Sequence, residues 1–233
     1  MEKDFEGRRV VVTGGTGALG SAVVGALADR GAACVIPGFD EAEFARFPHK
    51  GRAGVSVVRN VDLRDEASVR SFYDALPDLW ASVHVAGGFA MSPIAETTLA
   101  DYRAMMEMNA TTCFLCCREA VRRIRAGGGG GRIVNVAARP ALVPAAGMIP
   151  YSASKAAVAA ITQALADEVR GEGIWVNAVV PSIMDTPANR AAMPDADHAQ
   201  WPSAAAAAET IAFLASPRNE ATRGGLVPVY GRS

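Results

Sequence analysis

The chain has 233 residues, half of them hydrophobic, and a formal net charge of −1. That length buries a substantial core without disulfide or metal staples, and so balanced a charge argues against nucleic acid or an anionic membrane surface as the main partner. The opening MEKDFEGRRV places charges where a secretory signal needs an apolar core, and no apolar run reaches the ~18 residues of a membrane span; a cytoplasmic protein is the expectation.

Residues 8–12 read as a short apolar strand that runs into Thr13-Gly14-Gly15-Thr16-Gly17-Ala18-Leu19-Gly20 and then a helical pattern. Strand, glycine-rich turn and helix bring backbone N–H groups and a positive helix end against a pyrophosphate; the alternative is an ordinary tight turn. Residues 33–37 form the second predicted strand. The position after it, where an acid selects NAD through the ribose hydroxyls, is Gly38, followed by Phe39 and Asp40. Asp40 can substitute only if the loop folds back, so cofactor preference stays open between NAD(H) and NADP(H).

Residues 55–61 are the third strand, ending at Asp62-Leu63. Asp62 suits an adenine amino group or, equally, a helix cap or turn. A fourth strand over 79–85 ends in Ala86-Gly87-Gly88-Phe89, a second glycine turn. Residues 99–125 read as one long helix containing Asn109, and the glycines of 127–131 as an exposed flexible connection. Strand five covers 132–136, a helix 151–170 and strand six 174–180. The proline-rich stretch after Pro181 suits a lid. An alanine-rich helix capped by Ser203 and a seventh strand over 226–229 finish the chain. Alternating strands and helices without a composition break predict a single doubly wound α/β domain over 1–233, a seven-stranded parallel sheet with helices on both faces.

Tyr151 and Lys155 are spaced i, i+4 and share a helix face. A lysine beside a phenol favours the phenolate and lowers its pKa from ~10, which suits proton transfer near neutral pH. Cys34, Cys113, Cys116 and Cys117 read as packing residues, because no further Cys or His stands near them in sequence at zinc-ligand spacing; no metal is expected. His49, His84 and His198 read as structural.

TGGTGALG, Asp62, AGG, Asn109, RIVNV, YSASK and PSIMDTP fall in the order and spacing of the short-chain dehydrogenase/reductase family, and the resemblance covers essentially the whole chain. It implies a Rossmann-type subunit, dimeric or tetrameric, binding NAD(H) or NADP(H) and acting on a small molecule. It implies that Tyr151 carries the proton, that Lys155 holds the nicotinamide ribose and that Asn109 holds a relay water. The cofactor would lie along Gly14, Thr16, Gly17, Ala18, Leu19, Gly20, Asp62, Leu63, Ala86, Gly87, Gly88, Tyr151, Lys155, Pro181, Ile183 and Thr186. Phe89, Ala138, Met148 and Met184 would line the substrate.

The chain departs from the family pattern at Ala138, where the catalytic serine would stand, and at Ala18, Val85 and Ser182. GGTGALGS, VAGGF, AARPAL, AAGMIPY and DTPANRAAMPDAD closely resemble the quinonoid dihydropteridine reductase branch, which lacks the serine but keeps Tyr and Lys. Asn109 and Gly38 differ from that branch. A quinonoid or imine-like acceptor spreads charge over nitrogen and needs one donor fewer than a ketone. The expectation is therefore hydride transfer to a quinonoid dihydropterin or similar acceptor. The alternatives are a carbonyl or alcohol substrate, with a water on Asn109 or Arg139 replacing the serine, and an inactive cofactor-binding sensor or scaffold.

Overall fold

The structure is a computed structural model and describes residues 3–233. Seven parallel strands run β1 Arg9–Thr13, β2 Ala33–Gly38, β3 Val55–Arg59, β4 Ala81–His84, β5 Gly131–Val136, β6 Ile174–Pro181 and β7 Leu226–Val229, in the sheet order β3-β2-β1-β4-β5-β6-β7. The helices are α1 Ala18–Asp29, α2 Glu41–Arg46, α3 Glu66–Asp74, α4 Leu99–Met105, α5 Thr112–Gly127, α6 Ile149–Glu168, α7 Pro187–Ala192 and α8 Ala204–Ala215.

Alternation along each strand sends side chains to opposite faces, and both faces are apolar, as a parallel sheet under two helix layers requires. Val10, Val12, Ile36 and Val83 pack under α1 and α8; Val11, Val35, Ile133 and Val176 pack under α3, α5 and α6. All neighbours are parallel, and the order in which strands are added reverses between β1 and β4, so their carboxyl ends frame the crevice where open α/β sheets bind ligands.

Some expectations are corrected. The single helix over 99–125 is two helices joined by a π-helical stretch, Met106–Thr111, which inserts extra backbone at Asn109. Asp40 is engaged locally instead: its carboxylate accepts from Ala42 and Glu43 N–H and caps α2, a helix not expected from the sequence. The glycine run is more ordered than a flexible link. Gly128 is the left-handed cap of α5, Gly130 packs on Gly173, and Gly131 is a buried residue of β5. Within the presumed lid the structure holds α7, capped by the Thr186 hydroxyl.

Candidate active site

The glycine turn closes onto β4. Gly14 has φ +63°, and a Cβ there would lie 2.7 Å from Ala86 N, so only glycine fits. The Thr13 hydroxyl accepts from Ala86 N–H at 3.2 Å and ties the two turns together. Gly17 is the N-cap of α1 and offers no side-chain cap, so among the described residues no carboxylate or hydroxyl takes the first N–H groups of α1, from Ala18 and Leu19 onward. An anion at this end would satisfy them. Gly20 packs against the Gly14 carbonyl, where a Cβ would collide.

Across the crevice, Asn109 is buried and its side chain is committed to the protein. Its Oδ1 accepts from Gly88 N–H at 3.0 Å, and its Nδ2 donates to Gly88 O at 3.0 Å and Ser154 Oγ at 3.1 Å. Both amide protons are spent, so a relay water would meet only the second lone pair of Oδ1. A Cβ on Gly87 would lie 2.5 Å from that oxygen and 3.2 Å from Lys155 Nζ; glycine there lets the β4 loop close over both groups.

Lys155 is buried, and among the described residues its one hydrogen bond is to Val136 O, at 2.9 Å. Of three ammonium protons, two are left for other acceptors. Burial lowers its pKa to about 8, opposed by the nearby Cys113. Tyr151 shows the reverse of the expected shift: burial pushes its phenol up to about 12. The ammonium is turned onto Val136 rather than onto the phenol, so the low-dielectric surroundings dominate and Tyr151 rests as a protonated donor. The Phe89 ring stands edge-on to it, centroids 4.9 Å apart.

The remaining predicted residues spread around this centre. Ala138 is buried and extended beyond β5, with no hydroxyl, while the Arg139 guanidinium stacks on Tyr230. Asp62 is gripped by Arg64 through Nε and Nη2, both at 2.9 Å, and the guanidinium holds its carboxyl below its ordinary range. Leu63 and Met184 pack against the two core layers. Met148 is half-buried at the start of α6, Pro181 ends β6, and Ile183 is exposed beyond it. Sequence reasoning missed Ser154, which links Asn109 to the Tyr151 carbonyl at 2.8 Å, and Met108, whose side chain closes on Gly88. It also missed that His84 stands beside Cys113 and Cys117; strand pairing brings in a ligand type that sequence proximity did not show.

The first turn, with its uncapped helix end, and the buried ammonium with unspent donors fit a dinucleotide: diphosphate at one end, sugar hydroxyls at the other. The comparisons agree. Residues 8–197 match the family model described as short chain dehydrogenase. The chain is 34% identical, across 99% of its length and 98% of the relative, to cis-4-hydroxycyclohexanecarboxylate dehydrogenase of Sinomonas cyclohexanicum. It is 29% identical to 3beta-hydroxysteroid dehydrogenase 1 of Eggerthella lenta, over 91% of this chain and 81% of that one. A short-chain type dehydrogenase/reductase from Mycobacterium ulcerans shares the fold with TM-score 0.90 at 24% identity, covering 98% of this chain and 90% of that one. The chain belongs to the short-chain dehydrogenase family and is an NAD(P)-dependent oxidoreductase.

Proposed function

We propose that the enzyme interconverts a secondary alcohol and a ketone carried on an apolar, ring-shaped small molecule, with Tyr151 as the proton carrier. The observation that carries this reading is the half-buried phenol itself, which desolvation holds protonated and which Phe89 flanks edge-on. The loops beyond β4 and β5 present exposed apolar side chains, Met91, Ile94 and Val143, joined by Ile149 at the start of α6, and meet where Ser92 N–H donates to Gly147 O at 2.8 Å. Such walls suit a ring better than a polyol. The Sinomonas relative, by its name, acts on a hydroxylated cyclohexane ring.

When bound, the nicotinamide cofactor supplies or takes the hydride. Residues of this chain do the rest. Tyr151 gives its phenol proton to the carbonyl oxygen in reduction, or receives the alcohol proton in oxidation. Lys155 offers its two unspent protons to sugar hydroxyls, and Asn109 keeps the Gly87-Gly88 backbone closed beside it. The N–H groups at the start of α1 take the diphosphate, with Asp62, Leu63, Ala86, Pro181, Ile183 and Thr186 along the cofactor's flanks. For the adenosine end we infer a preference for NADH. Glu43 reaches from α2 to accept from the Thr16 hydroxyl at 2.7 Å, placing a carboxylate where a 2′-phosphate would add charge.

Ala138 favours a second reading. With alanine rather than a hydroxyl residue at position 138, a quinonoid dihydropterin or another conjugated C=N acceptor needs less oxyanion stabilisation than a ketone. Assay of cycloalkanones, cycloalkanols and an in situ quinonoid dihydropterin with both cofactors separates the two. Turnover of ring ketones with NADH is expected. Turnover confined to the dihydropterin would replace the first reading with the second, and cofactor binding without turnover of any acceptor would defeat both. Glu43→Gln should raise NADPH use relative to NADH; an unchanged ratio refutes its role.

A further inference from the structure

Beneath the active site, the face of the sheet toward α5 carries a buried polar cluster inside an otherwise apolar layer. Ser82 and His84 project from β4, Asn135 from β5, Cys113 and Cys117 from successive turns of α5, and Tyr73 from α3; all are buried. Cys113 and Cys117 sit one turn apart with their sulfurs 4.0 Å from each other. Cys117 Sγ lies 3.5 Å from His84 Nδ1, and the three ligand atoms all fall within 4.8 Å of one another.

We propose that His84 Nδ1, Cys113 Sγ and Cys117 Sγ form a binding site for a soft d10 cation, Cu(I) or Zn(II). Thiolates bind such an ion at ~2.3 Å and imidazole at ~2.0 Å, which in trigonal or tetrahedral arrangement sets the ligand atoms roughly 3.5–4 Å apart. The two shorter separations already match, so the ion would need only small side-chain rotations. Two sulfurs and one nitrogen in a dry site select a thiophilic ion over magnesium or calcium. A second layer of contacts is present as well. His84 Nε2 is 2.8 Å from Ser82 Oγ, which is 2.8 Å from Tyr73 OH, so the ring is held with Nδ1 toward the sulfurs.

Binding requires two changes of protonation. Both thiols release their protons to solvent, and the imidazole takes the tautomer with hydrogen on Nε2, donating to Ser82 while Nδ1 ligates. Asn135 Oδ1, 2.8 Å from His84 Nδ1 before binding, is then freed; it lies 3.5 Å from Cys117 Sγ and can complete a four-coordinate Zn(II). Three-coordinate Cu(I) leaves the site with one net negative charge, and the Lys155 ammonium is close enough to Cys113 to interact with it electrostatically.

The test is anaerobic titration of the reduced, full-length protein with Cu(I) against bicinchoninate and with Zn(II) against a chromophoric zinc chelator, after long incubation because the cluster is closed from solvent. The result expected is one equivalent of at least one ion retained. X-ray absorption of that complex should show two sulfurs at ~2.3 Å and one nitrogen at ~2.0 Å. Cys113→Ala and Cys117→Ala should each weaken retention by at least ~10-fold, whereas Cys34→Ala and Cys116→Ala, which alter the other two buried free thiols, should leave it unchanged. Failure to retain either ion, a shell with fewer than two sulfurs, or undiminished binding by Cys113→Ala/Cys117→Ala overturns the proposal. The wild-type spectrum decides the matter even if a variant fails to fold, and none of these readouts depends on the substrate.

Discussion

Replacing Lys155 by methionine should abolish most catalysis while removing a pH-dependent burden on folding. Burial lowers the Lys155 pKa from an ordinary 10.5 to about 8. At 1.36 kcal/mol per pKa unit, the buried ammonium costs the folded state roughly 3 kcal/mol near neutral pH, relative to an amine that kept its ordinary pKa. The sign follows from proton counting. Between about 8 and 10.5 the unfolded chain binds more protons than the folded one, so stability rises with pH across that window. The contribution is least favourable below the folded pKa and recovers toward the unfolded one. Urea denaturation of the wild type and Lys155→Met from about pH 7 to about pH 10 should show the wild type gaining roughly 2–3 kcal/mol on the variant. Parallel curves would mean that the ammonium is solvated or fully compensated, and would refute both the buried geometry and its unspent donors.

Gly87→Ala should cost activity and about 1–3 kcal/mol of stability, since its Cβ would press on Asn109 Oδ1 and Lys155 Nζ; a variant of wild-type stability and rate shows that the loop yields freely. Ala138→Ser should raise turnover of simple ketones, by up to ~10²-fold if the new hydroxyl reaches the developing oxyanion. No gain on any ketone would show that the site already stabilises this charge by other means. With the phenol raised to about 12, Tyr151 should not limit ketone reduction through neutral pH, whereas alcohol oxidation should climb with pH as the phenolate becomes accessible. Steady-state rates in both directions check this, and an oxidation rate that is flat or falls with pH contradicts it.

The parts of the fold written in local pattern were legible from sequence. Apolar runs of strand length, a glycine turn before a periodic helix and the i, i+4 pair of Tyr151 and Lys155 each reflect backbone geometry that neighbouring residues set. What escaped depended on distant partners or on burial. The π-helical stretch at Asn109 reads as ordinary helix, because its extra residue answers to Gly88 and Ser154 across the site. The direction of the Tyr151 shift was misjudged because spacing puts the lysine nearby but does not show that its ammonium turns to Val136. Asp40 offered an acid near the ribose position, and only the helix it caps shows that its oxygen is already engaged. The Ser82-x-His84 alternation within β4 and the one-turn spacing of Cys113 and Cys117 were the available signals for the buried cluster; only the pairing of β4 with β5, under α5, joins them.

The most direct measurement is NADH oxidation by wild type and Tyr151→Phe with a ring ketone, alongside cofactor binding followed by fluorescence titration. The account predicts a loss on the order of 10²–10⁴ in turnover with cofactor affinity unchanged. A phenylalanine variant that turns over at close to the wild-type rate would contradict it.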